Sequence, residues 1–98
     1  MIEVREIFNA DIYRDGGSLS FCFYSGNDDW YEFFLPTRPQ NDGYHAPKLF
    51  HHSVNDGSPL HEFSWDEALE FVTPLKFDNP RFRQLVTAVR NKGEIMAG

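Results

Sequence analysis

Before residue 64 the hydrophobic positions alternate with polar ones, and beyond it they recur every three or four residues. The first pattern is that of strands with one buried face, the second that of amphipathic helices. Leu19, Phe21 and Phe23 alternate with Ser20, Cys22 and Tyr24, which predicts a strand. Asp15, Gly16 and Gly17 ahead of it are a turn signal that pairs it with its N-terminal neighbour as a hairpin. In that neighbour Ile2 and Val4 alternate with Glu3 and Arg5 as in a strand, while Val4, Ile7, Phe8 and Ile12 also fit a helical spacing. Strand is favoured.

Ser25 to Asp29 form a polar turn, and Trp30 to Leu35 the next strand. Tyr31, Phe33 and Leu35 share one face of it, and Trp30, Glu32 and Phe34 the other. Aromatics on both faces suit a strand in the middle of a sheet. Pro36 to Gly43 cannot hold regular structure, because its prolines lack donors and Asn41-Asp42-Gly43 favours a turn, and with Tyr44 to Pro47 it forms a connection of about a dozen residues. Lys48 to Val54 is expected to be a further strand, with Asn55-Asp56-Gly57 turning it back through Leu60 to Phe63. Pro59 confines that return to a sheet edge.

The clearest helix signal is Ser64 with Glu67 three residues on, a capping box preceded by Phe63 as a hydrophobic staple against Ala68. Trp65, Ala68, Leu69, Val72 and Leu75 form its apolar stripe, and Pro74 ends it at Thr73. Asn79 as cap with Pro80 in the first turn restarts a helix on Phe82, Leu85, Val86 and Val89, closed by Gly93. Strands followed by helices imply an α+β fold. The expectation is a four- or five-stranded antiparallel sheet followed by two C-terminal helices packed on one face. The whole chain, 1–98, is then one domain, with strands and a long loop over 1–63, helices over 64–93 and a tail over 94–98.

Composition adds a packed core and a charge asymmetry. Ten Phe, four Tyr and two Trp in 98 residues are the residues of an ordered chain. Residues 1–77 carry thirteen acids and five bases, whereas residues 78–98 carry two acids and four bases. A negative body repels phosphate, so direct nucleic-acid binding is disfavoured and a basic protein partner is attracted. The single Cys22 excludes an internal disulfide, and neither a signal peptide nor a membrane-length apolar run is present, which points to the cytoplasm.

Candidate chemistry is sparse. His51 and His52 point to opposite sides of a strand, and a two-residue turn at Asp56-Gly57 would set His52 opposite His61, near enough to share a metal or proton. The set with His45 lacks metal-ligand spacing, and His61-Glu62 lacks the second histidine of a zinc-protease helix. The acids at Asp28, Asp29 and Glu32, and at Asp66, Glu67 and Glu70, read as solvated. Cys22 has no sequence neighbour that would activate a thiolate. No metal, cofactor or catalytic residue is therefore expected.

What remains is an aromatic anchor of Trp30, Phe34, Tyr44 and Phe50 rimmed by Asp28, Asp29, Glu32 and Asp42, the composition of a protein interface. The plainer alternative is that these rings are core, or are covered by the 36–47 loop. The functional expectation is a small acidic binding module, not an enzyme, that neutralises or regulates a basic protein in the manner of an immunity protein or inhibitor. Its rivals are a ligand pocket between sheet and loop, lined by Trp30, Phe34, Tyr44 and His45, and a small enzyme using histidine acid–base chemistry. A homodimer through Lys48 to Val54, or through the second sheet face, is a further possibility.

Overall fold

A computed structural model describes residues 3–12, 18–26, 29–36, 46–52 and 58–91. Five strands come first: β1 (Glu6–Ile12), β2 (Ser18–Tyr24), β3 (Trp30–Pro36), β4 (Lys48–His51) and β5 (His61–Glu62). They form one antiparallel sheet in sequence order, so β3 is its middle strand, as aromatics on both its faces require. Two helices follow, α1 (Trp65–Val72) and α2 (Pro80–Arg90). The arrangement is α+β, and both helices join the core on one face of the sheet.

β1 is a strand, and its mixed periodicity has a structural cause. Ile7 pairs with Phe23 and Ala10 with Phe21, so one extra residue intervenes between two positions on the same face. This is a β-bulge, in which two residues oppose one across the ladder. It carries Phe8 to the side opposite Ile7, where its ring meets Tyr24 and Trp30.

The turn from β2 to β3 closes with Ser25 N–H donating to the Asp29 carbonyl and Asp29 N–H to that of Gly26. Gly26 sits at φ +99°, a conformation that side chains disfavour, and the Arg5 side chain packs beside it. The expected turn at 15–17 and the helix stop at Gly93 lie outside the described residues. The α2 cap is Asn91.

Both helix starts form as expected. Ser64 Oγ accepts from Glu67 N–H at 3.1 Å while Glu67 Oε1 accepts from Ser64 N–H at 3.1 Å. Asn79 Oδ1 accepts from Arg81 and Phe82 N–H ahead of α2. The buried stripe of α1 is turned from the expected one: Ala68, Phe71 and Val72 are buried, while Trp65, Leu69 and Leu75 pack at its margin. Phe71 lies deep because it stacks on Phe21 and Phe33 and touches Phe23 and Phe63. Each such ring pair adds about 0.5–1.5 kcal/mol beyond the area it buries. In α2, Phe82, Leu85, Ala88 and Val89 are buried and Val86 is marginal.

The β4–β5 pairing corrects two expectations. Leu49, not His52, faces His61, since β4 ends at His51 and β5 starts only at His61, a connection too long for a two-residue turn. β4 is also interior, flanked by β3 and β5, so Lys48–His51 is no edge for dimer formation. The sheet edges are β1 and β5.

Candidate functional site

Alternation along the strands sorts the remaining aromatics onto the sheet face away from the helices. Across β2, β3 and β4 the register sets Tyr24 beside Trp30, Glu32 between Cys22 and Phe50, and Phe34 between Ser20 and Lys48. Glu32 is thus flanked along its own strand by Trp30 and Phe34 and across the ladder by Phe50. All four are half-buried. Trp30 stacks on His52 with ring centroids 3.4 Å apart, and Phe34 meets Phe50 edge-on at 6.1 Å. Phe8 extends the strip, 4.5 Å from Tyr24 and 39% exposed. Ser20 and Cys22, the small residues of this face, are buried. No described helix packs against it.

Its charge is predominantly negative. Glu6, Asp11, Glu32 and Glu62 belong to this face by register, against one strand cation, Lys48, whose ammonium lies 4.0 Å from Glu62 and 3.4 Å from the Ala46 carbonyl. Cys22 reports the field from within. Burial, reinforced by the Glu32 and then the Asp11 carboxylate, pushes its thiol up to about 11. That makes it a poor nucleophile at neutral pH.

The expected site residues separate into three groups. Trp30, Glu32, Phe34 and Phe50 come together. Asp29 does not join them: its carboxylate lies 3.4 Å from His51 Nε2, and His51 stacks on Tyr31 on the helix side of the sheet. Asp28, Asp42 and Tyr44 lie outside the described residues, as does His45 of the alternative pocket. Sequence reasoning missed Phe8, Tyr24 and His52 as members of the strip. Tyr24 shares the alternation of Cys22 and was legible; Phe8 depends on the bulge.

The three described histidines diverge. His51 sits by Asp29, His52 lies on Trp30 across the sheet, and His61 lies 3.5 Å from Glu67 and edge-on to Phe63. Among the described residues no group of three or more His, Cys, Asp or Glu is placed to hold a metal ion. Glu67 is held below the usual carboxylate range by hydrogen bonds from the Ser64 backbone and hydroxyl, with His61 adding to them. This is helix capping. No described helix is long and apolar enough to cross a membrane.

A separate groove of about 370 Å³ opens between α2 and the link that precedes it, lined by Leu75, Phe77, Phe82 and Val86 with Lys76 and Arg83 at its rim. Arg83 is bonded to Asp78 at 2.8 Å. The chain matches no known protein family, no curated protein and no solved structure.

Proposed function

We propose that this protein acts by contact, as an acidic binding module that neutralises or regulates a basic protein partner in the manner of an immunity protein or an inhibitor. One observation carries the reading: half-buried Trp30, Phe34 and Phe50 surround Glu32 on a sheet face that bears four strand carboxylates against one ammonium. Aromatic anchors concentrate binding energy, and a charged surround steers the encounter and rejects partners of like sign. On the opposite layer the carboxylates of α1, Asp66, Glu67 and Glu70, are offset by the arginines of α2, Arg81, Arg83 and Arg90.

The test is affinity capture from the source cell with the immobilised protein, run beside its Glu32→Lys and Trp30→Ala variants. A basic protein retained stoichiometrically by the parent, released by salt and lost from both folded variants supports the reading. Retention unaffected by either substitution, or no stoichiometric partner, overturns it.

A further inference from the structure

Independently of the outer face, we propose that the groove between α2 and the link ahead of it binds a small amphipathic anion, an aliphatic chain ending in a carboxylate. The chain lies on Leu75, Phe77, Phe82 and Val86, and the carboxylate meets the Lys76 ammonium. Phe82 is buried in the core and touches Phe77 edge-on at 5.8 Å, while Leu75, Phe77 and Val86 pack on the core with part of their surface left out. Both ends of the link are held, Leu75 N–H donating to the Val72 carbonyl at 3.1 Å and Asn79 N–H to that of Phe77 at 2.9 Å, so the hollow is formed before a ligand arrives.

Size selects the occupant. A volume of about 370 Å³ falls at the lower end of small-molecule sites. The α2 part of the lining, Phe82 to Thr87, advances only about 7.5 Å along the helix, whereas a docking helix is read over anchors from i to i+7, about 10 Å. Charge selects the ligand's end. Arg83 is held by Asp78 through Nη1 at 2.8 Å, and that pair adds no net charge to the rim. Lys76 is exposed and makes no ion pair or hydrogen bond with a described residue, so its ammonium is the net charge among the residues that line the groove. A ligand suited to both features has methylenes to bury against the apolar lining and one anion at the end. A carboxylate without the chain gains only a solvent-screened ion pair, and a chain without the charge forgoes that pair.

The experiment is a nuclear magnetic resonance titration of the isotope-labelled full chain with octanoate below its micelle concentration, with octanol and acetate as the chain-only and charge-only probes. Octanoate should give saturable shifts centred on Leu75, Phe77, Phe82 and Val86, octanol should bind the same residues about five-fold more weakly, and acetate should not saturate. Lys76→Gln should bring octanoate down to the octanol affinity and leave octanol unchanged. Arg81→Gln, the same charge change outside the lining, should alter neither. Both side chains are exposed, and unchanged circular dichroism verifies that the variants are folded. Equal affinity for octanoate and octanol, or a loss on Arg81→Gln as large as that on Lys76→Gln, overturns the proposal. So do shifts centred away from the groove, no saturable shifts, or broadening at Leu75, Phe77 and Val86 that grows with protein concentration alone, the mark of a second copy in the groove.

Discussion

On the helix side of the sheet, Phe21, Phe33 and Phe71 stack on one another out of water, whereas on the opposite side Trp30, Phe34 and Phe50 stand half-buried around a carboxylate. β3 contributes to both sets, Phe33 to the first and Trp30 and Phe34 to the second, so neighbouring residues of one strand meet different surroundings. Where α1 and α2 cover the sheet, aromatic area becomes stability. Where no described helix does, the rings around Glu32 stay half-buried.

The comparison breaks most readily at Phe71. Phe71→Ala removes the ring that joins four others and should cost about 3–5 kcal/mol in urea unfolding. Phe34→Ala, on the outer face, should cost about 1 kcal/mol, in keeping with partial burial. Equal losses would erase the distinction between the faces. Next in size are the caps: Asn79→Ala should destabilise by about 1 kcal/mol through the two amide bonds it leaves open, without altering shifts on the outer face.

Glu67 gives a pH signature confined to the helix side. Its carboxyl is depressed in the folded protein, so the stability it contributes is present above the usual carboxylate range and is lost as pH falls through the lowered value. Glu67→Gln should flatten that acid limb of an unfolding-versus-pH curve. A limb unchanged by the substitution would remove the capping carboxylate from the explanation. The smallest expected effect is on the outer face, where Glu32→Gln should lower the Cys22 thiol pKa by removing the larger of the two carboxylate contributions that raise it. The pH dependence of thiol alkylation measures this, and an unchanged profile would place Glu32 away from the thiol.

Elements encoded locally were legible in the sequence. Ser64 with Glu67, and Asn79 with Pro80, specify helix starts through bonds within a single turn, and the two-faced alternation of Trp30 to Leu35 marked a central strand. The grouping of Trp30, Glu32 and Phe34 followed from alternation alone. What was not legible depends on pairing between distant segments. The bulge in β1 moves Phe8 across the sheet, the β4–β5 register sets Leu49 opposite His61, and Asp29 turns toward His51 because it follows the alternation of Tyr31. Phe71 was absent from the expected stripe for a related reason: its depth comes from partners on three other segments, Phe21 and Phe23, Phe33, and Phe63.

The central claim is that the outer-face rings are available to a partner. It is tested most directly by adding a neutral, water-soluble gadolinium chelate and measuring relaxation of the aromatic ring protons. Strong enhancement at Trp30, Phe34 and Phe50, with little at Phe21, Phe33 and Phe71, is the predicted result. Outer-face rings as sheltered as Phe21 and Phe33 would mean that the chain covers this face itself, and would contradict the claim.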